Sequence, residues 1–248
     1  MERQAGEVSP GQGPTTDGLE SVANFSPCFR FLQEVFLWIY GPLAIAYNHL
    51  VFGIRFEGRR SLKQQAPCIL VSNHSLYLDP AVLIHALFPG RTYYTGLKSH
   101  FAHPVGGLIL RLMGGIPIPG ASGMKTAETT VRTALESGHC VHFFPEGEMT
   151  HLSQELAPFM RGAFYLALRL GVPIVPVTLV HWPRRWFGRQ ISRYFLRVRC
   201  IVGEPIDVVK QESESDRQAS ARFAAEVRRL MVDTITSEQQ KRPAWPAG

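Results

Sequence analysis

Apolar positions are concentrated near the start of the chain and then recur in short blocks. The longest uninterrupted apolar run is Val35 to Tyr47, 13 residues, inside the broader apolar stretch Phe29 to Phe52. A helix of 13 residues is about 20 Å long, short of a roughly 30 Å hydrocarbon core. Gly41-Pro42 predicts a kink or a break within it. Arg30, Gln33 and Glu34 fall on one helical face, and Phe31, Leu32, Val35, Phe36 and Ile39 cover the rest. This pattern predicts a helix lying in a membrane interface, or a bent pair dipping into it, rather than a spanning helix. An ordinary core helix has the same composition.

Beyond residue 52 the pattern alternates between periods. Strands are predicted at 52–57, 68–72, 92–98, 141–144, 173–180 and 194–202. Helices are predicted at 79–88, opened by Asp79-Pro80, and at 104–113, 126–137, 158–170 and 216–235. Gly138 and Gly171 serve as stops. Strands alternating with helices predict an α/β fold, a layered mixed sheet flanked by helices, behind an N-terminal apolar, membrane-docking helical segment. Residues 1–24 and 239–248 are rich in Gly, Pro and small polar residues and read as flexible tails. The segments are then 1–24, a membrane-associating helical part at 25–53, the main domain at 54–238, and a tail at 239–248.

Composition narrows the class. The 248 residues are 45% hydrophobic and 19% charged, which excludes global disorder. A net charge of +6 favours an anionic partner, whether nucleic acid, membrane surface or acidic substrate. Cys28, Cys68, Cys140 and Cys200 lie far apart with no CxxC, which reads as free thiols in a reducing compartment. The opening MERQAGEVSP lacks the basic start and apolar core of a secretory signal. In HWPRRWFGRQISRYFLRVR, residues 181–199, aromatics alternate with arginines. A bilayer surface, single-stranded nucleic acid, and a solvated loop running into a strand with arginines outward all fit that mixture.

Three islands carry candidate chemistry. Asn73-His74-Ser75-Leu76-Tyr77-Leu78-Asp79 directly follows the strand ILVS. An imidazole titrates near neutrality, and a carboxylate on its other nitrogen fixes the tautomer, so His74 and Asp79 can form a base and its orienter. Positions i and i+5 lie about 140° apart on a helix, so the pair needs a loop or first-turn geometry. Asp79 as a mere helix cap is the bland alternative. Phe143-Phe144-Pro145-Glu146-Gly147 puts a carboxylate where a strand ends, at the edge where α/β sheets bind ligands. Val172-Pro173-Ile174-Val175-Pro176-Val177, preceded by Arg161-Gly162, is a strand with unusual prolines. His100 with His103, and His139 with His142, lack a matching carboxylate pattern, so no metal is expected.

The order NHxxxxD, FPEG, VPIVPV resembles the glycerolipid acyltransferase family over roughly residues 50–210. Lys98-Ser99-His100 and Leu112-Met113-Gly114-Gly115-Ile116-Pro117-Ile118 resemble its second block. The resemblance implies that His74 is a general base oriented by Asp79, acting on an acceptor hydroxyl that attacks an acyl thioester. The donor is acyl-CoA or an acyl carrier protein, used as substrate, with no cofactor and no covalent intermediate. It implies substrate contacts from Asn73, Lys98, Gly115, Ile116, Pro117, Glu146, Gly147, Arg161 and Pro176. The implied partners are a membrane lipid acceptor and a membrane surface, with no nucleic acid, at the cytoplasmic face. The commonest family reaction converts 1-acylglycerol-3-phosphate to phosphatidate. Two departures bear on it. Gly120 stands where an arginine usually closes the second block, and FPEGEMT replaces FPEGTRS, putting Glu148 and Met149 in place of Thr and Arg. Lys98, Arg111, Lys125 and Arg161 are the candidate replacement cations. A lyso-lipid without a phosphomonoester and an inactive membrane-binding scaffold are the alternatives.

Overall fold

The computed structural model describes residues 26–76, 79–118, 124–186, 189–190 and 196–241. The expected tail at 1–24 lies outside them, as do residues 242–248, Gly120, Phe187, Arg193 and Tyr194. The elements are α1 (Pro27–Phe52), β1 (Arg55–Glu57), α2 (Arg59–Gln64), β2 (Ile69–Ser72), α3 (Asp79–Leu87), β3 (Thr92–Leu97), a 3₁₀ turn (Lys98–Phe101), α4 (Pro104–Leu112), β4 (Gly115–Ile118), α5 (Met124–Glu136), β5 (Cys140–Phe143), α6 (Gly162–Leu170), β6 (Ile174–Pro183), β7 (Arg185–Trp186), β8 (Arg189–Gln190), β9 (Leu196–Val202) and α7 (Asp216–Gln240).

Seven strands form one sheet in the order β1-β9-β6-β2-β5-β3-β4. All neighbours are parallel except β6 and β9, so the sheet is mixed, as predicted. The central strands β2 (ILVS) and β5 (CVHF) are buried at every position, because helices cover both faces. One face packs on α5, α6 and α7 through Val131, Phe164, Phe223, Val227 and Met231. The other packs on α1 and α3 through Phe52, Val82, Leu83 and Ile84.

Four details differ from the sequence reading. First, α1 runs unbroken through Pro42. Pro42 sits on the exposed side, where only the Trp38 carbonyl loses its intrahelical donor, and packing on α3 and α4 holds the flanking turns. Second, α6 begins at Gly162 rather than residue 158, and Arg161 caps it instead of lying inside it. The segment before it stays extended to reach the Pro145 turn, where the Met160 N–H donates to the Pro145 carbonyl at 2.7 Å. Third, α7 continues to Gln240, so Gln239 and Gln240 are helical and not tail. The last turn is held because buried Glu238 pairs with Arg199 and with Lys241. Fourth, Trp182 is a core residue of β6 and not a headgroup-level aromatic. On β9 the reading with outward arginines holds: Leu196, Val198, Cys200 and Val202 point inward, while Arg197 and Arg199 alternate with them. The short strand β4 and helix α2 had no clear periodic signal.

Candidate active site

Strands β2 and β5 lie side by side in parallel, with Val71 opposite Phe143. The segments leaving their carboxyl ends therefore emerge together, and these are the segments that carry His74 and Glu146. His74 lies in the loop after β2, and Asp79 is the first residue of α3. Loop plus first turn thus supplies the geometry that the five-residue spacing demands.

His74 Nδ1 is 3.0 Å from Asp79 Oδ2, with His74 21% exposed and Asp79 fully buried. The same Oδ2 accepts the backbone N–H groups of Ser75 and Leu76, both at 2.9 Å. Three donors converging on one oxygen fold the loop around the carboxylate and fix the imidazole. Burial pushes the Asp79 carboxyl above its usual range, and the bonds from His74, Leu76 and Ser75 pull it back. Asp79 accepts an imidazole N–H, so the proton sits on Nδ1 and Nε2 is the basic nitrogen.

The imidazole lies flat on Phe144, with ring centroids 3.8 Å apart and planes 16° from parallel. Phe144 in turn meets the edge of His142 at 4.4 Å. His142 is fully buried and bonded to the Ser72 hydroxyl at 2.8 Å. Burial, helped by the neighbouring His74, lowers the His142 imidazole to about 3, so it is neutral at physiological pH. Phe144 supplies the shelf on which His74 is held. The sequence placed it in a motif but gave no sign of this stacking.

Several expected substrate contacts have other work. The Asn73 amide donates to the Leu179 carbonyl at 2.9 Å and accepts its N–H at 2.8 Å. Asn73 thus copies a strand peptide and pins the end of β2 to β6. Glu146 Oε1 accepts the His74 N–H at 3.0 Å, and Oε2 accepts the Ala157 N–H at 2.9 Å. Glu146 buckles the histidine loop to the segment before α6. Gly147 has φ 78°, so the backbone of this turn favours glycine; a Cβ there would meet only the exposed, movable end of the Met160 side chain. Ile116 is wholly buried in the core, and Gly115 is pressed against Phe101 and the Leu110 carbonyl. With Pro117 they form the edge strand β4, and β3 separates them from β5. Pro176 pairs with Val71 inside the sheet, its ring against Gly203, and does not reach the carboxyl edge. These four residues are packed among neighbouring backbone and side chains.

Among the candidate cations, Arg111 bonds the Phe101 carbonyl at 3.1 Å and stacks on its ring. The Lys125 side chain lies outside the described residues. Lys98 opens the 3₁₀ turn at the carboxyl end of β3, and exposed Arg161 follows Met160 at the Gly147 turn. Glu148 is exposed and Met149 half-buried.

The family model described as Acyltransferase matches residues 53–180, which takes in the histidine loop, the Pro-Glu-Gly turn and most of β6. The chain belongs to the acyltransferase family. The 1-acyl-sn-glycerol-3-phosphate acyltransferase beta of Homo sapiens is 34% identical over 132 residues, 51% of this chain and 46% of that protein. The 1-acyl-sn-glycerol-3-phosphate acyltransferase of Haemophilus influenzae is 28% identical over 181 residues, 69% of this chain and 72% of its own. The aligned part is 33% of a chloroplastic Brassica napus relative, so the chain spans only part of the longer members. The crystal structure of the 1-acyl-sn-glycerophosphate acyltransferase from Thermotoga maritima superposes with a TM-score of 0.58 at 16% identity, covering 85% of this chain and 79% of that one. At that identity it establishes the shared acyltransferase fold.

Proposed function

We propose that this acyltransferase moves a fatty acyl group from acyl-CoA or an acyl carrier protein to a lyso-lipid hydroxyl, with 1-acylglycerol-3-phosphate as acceptor and phosphatidate as product. The observation that carries the reading is the His74–Asp79 pair at the open edge of the sheet. Nε2 of His74 takes the proton from the acceptor hydroxyl as its oxygen attacks the thioester carbonyl. The tetrahedral adduct collapses, the C–S bond breaks, and the imidazolium returns the proton to the departing thiolate. Asp79 holds the tautomer and balances the imidazolium charge. The products are an ester and a thiol, and no cofactor or metal enters the cycle. Lys98, at the end of β3, and exposed Arg161, before α6, are the cations assigned here to an acceptor phosphate.

The enzyme works at the cytoplasmic face of a membrane, docked through α1. This helix is long and apolar enough to cross a bilayer by length and composition. However, it is tied to the domain along its whole length. Gln33 near its start bonds the Arg111 carbonyl, and Asn48 near its end bonds the Ala81 carbonyl. A spanning α1 would drag α3 and α4 into hydrocarbon, so it lies flat, with Phe31, Leu32, Trp38, Ile39, Leu43 and Leu50 outward. Residues 25–53 form the docking segment and 54–238 the transferase domain.

Thiol release from acyl-CoA, measured on wild type and His74→Ala against a panel of lyso-lipids, tests this. Loss of the base should lower kcat by about 10²–10⁴-fold. No release with any acceptor would leave the scaffold reading. A second reading, an acceptor lacking a phosphomonoester, is favoured by Glu148 and Met149 in the places of Thr and Arg. A phosphate dianion beside Glu148 forgoes charge-assisted bonds of about 1.5–3 kcal/mol each. Faster turnover of zwitterionic or neutral lyso-lipids than of lysophosphatidate would select it.

A further inference from the structure

We infer that Arg228, on the C-terminal helix α7, is a positioning residue for His74, acting through one peptide group and the Glu146 carboxylate. The inference rests on the acyltransferase reading of His74. Arg228 lies beyond the segment that the family model matches. Its Nη2 donates to the Leu156 carbonyl at 2.5 Å and its Nε to the Ala157 carbonyl at 2.9 Å. The Leu156 carbonyl and the Ala157 N–H belong to the same peptide plane. That N–H donates to Glu146 Oε2 at 2.9 Å, and Oε1 of the same carboxylate accepts the His74 N–H at 3.0 Å. A guanidinium and a carboxylate therefore face each other through a single amide, whose oxygen meets the cation and whose N–H meets the anion. Each charge polarises the amide toward the other, so the two hydrogen bonds strengthen together.

The anchor is rigid and the far end is not. Around Arg228, α7 buries Phe223, Ala224, Val227 and Met231 in the main core. The segment from Pro145 to Arg161 contains no helix or strand. It meets the histidine loop at two further points: the Thr150 N–H donates to the His74 carbonyl at 3.2 Å, and the Leu152 N–H to the Ser75 carbonyl at 2.9 Å. Ala157 precedes Pro158, which restricts its backbone and helps the amide present both ends. Arg228 thus ties an irregular cover to a core helix where that cover grips the histidine. Shifting the His74 backbone displaces Nε2 from the acceptor hydroxyl, and a misplacement of about 1 Å costs up to about 10²-fold in rate.

The test compares Arg228→Ala, Arg228→Lys and Arg222→Ala in the full chain. Arg222 sits on the same helix and pairs with Glu214, away from the cover. Arg228→Ala should lower kcat about 10–100-fold with KM for donor and acceptor within about twofold. Arg228→Lys should recover part of the loss, and Arg222→Ala should match wild type. In parallel, hydrogen exchange of the His74 and Ala157 amides should quicken in Arg228→Ala and less so in Arg228→Lys, while exchange in β2 and β5 stays slow. Unchanged exchange at both amides, or a kcat loss shared by Arg222→Ala, would overturn the inference. A wild type inactive on every acceptor would overturn the acyltransferase reading instead, and the exchange result would still decide the role of Arg228. If Arg228→Ala does not fold, wild-type exchange and kcat in Arg228→Lys overturn it equally.

Discussion

The first and last helices are nearly equal in length, 26 residues in α1 and 25 in α7, and they are built inside out relative to each other. α7 buries Phe223, Ala224, Val227, Met231 and Ile235 and turns Arg217, Arg229 and Asp233 outward, while Glu238 is buried in its pairs with Arg199 and Lys241. It opens with a capping box, Ser215 and Gln218 each bonding the other's backbone. α1 does the reverse. Its buried side chains include Gln33 and Asn48, whereas Trp38, Ile39 and Leu50 are 59%, 63% and 76% exposed. Water is the solvent that α7 expects. α1 turns large apolar side chains outward and the amides of Gln33 and Asn48 toward α4 and α3, an arrangement that the proposed membrane docking would account for. Glu34 extends the same logic: it pairs with Arg91 at 2.8 Å, so the only acid of α1 serves the seam and not the outer face.

That contrast breaks first in the core. Phe223→Ala in α7 should cost about 3–5 kcal/mol of folding stability, read by denaturant unfolding. A loss below about 1 kcal/mol would mean that α7 is not the core helix described. On the α1 side the sensitive residue is polar. Asn48→Ala removes the donor to the Ala81 carbonyl and should cost about 1–3 kcal/mol, although a buried polar side chain is being replaced by an apolar one.

The α1 seam also carries a pH dependence. His85 of α3 packs against His49 of α1 and Phe56, with ring centroids 4.8 Å and 4.6 Å away, and Arg59 donates to its carbonyl at 2.8 Å. Burial, reinforced by His49 and Arg59, lowers its imidazole from the usual 6.5 to about 4. The unfolded chain takes up a proton below 6.5 and the folded chain does not until near 4. The stability is therefore complete above pH 6.5 and is lost as pH falls through that window, by about 3 kcal/mol at most. His85→Phe should flatten the slope of stability against pH between 4 and 6.5, and an unaltered slope would assign it elsewhere. The smallest effect on folding belongs to the outer face. Ile39→Ser should change stability by no more than about 0.5 kcal/mol, yet weaken binding to phospholipid vesicles about tenfold. Vesicle binding unchanged by Ile39→Ser would sharpen the question of what the exposed face meets.

The His74–Asp79 pairing was open to a sequence reading because it is local, although the motif resemblance, not the spacing, chose it over a helix cap. His74 and Asp79 lie within six residues, and the strand before them and the Asp-Pro helix start after them were both readable, so their pairing could be expected. The alternation of strand and helix was legible for the same reason, since each strand had its own apolar block. Residues whose partners are distant in the chain were misread. Asn73 looked like a substrate ligand, but its partner is Leu179, 106 positions away. Pro176 and Ile116 sat in recognised motifs, yet motif membership does not tell a core position from a lining one; sheet register does. Phe144 and Arg228 gave no signal, because a stacking ring and a guanidinium on carbonyls look like any other aromatic or surface charge until the chain brings them to their targets.

Composition and period alone thus determined that strands alternate with helices in an α/β layered sheet and that an apolar helical stretch precedes it; the motif resemblance singled out His74 and Asp79 as a pair, and the antiparallel joining of β6 and β9 came only with the tertiary structure. The direction in which α1 turns its apolar side was decided only by tertiary structure. A helical pattern defines faces, and which of them meets protein depends on where α3, α4 and the Arg91 guanidinium stand. The buckle around His74 was decided the same way, since its hydrogen bonds join the backbone of His74, Leu156 and Ala157 to the side chains of Glu146, after β5, and Arg228, on α7, which no local pattern relates.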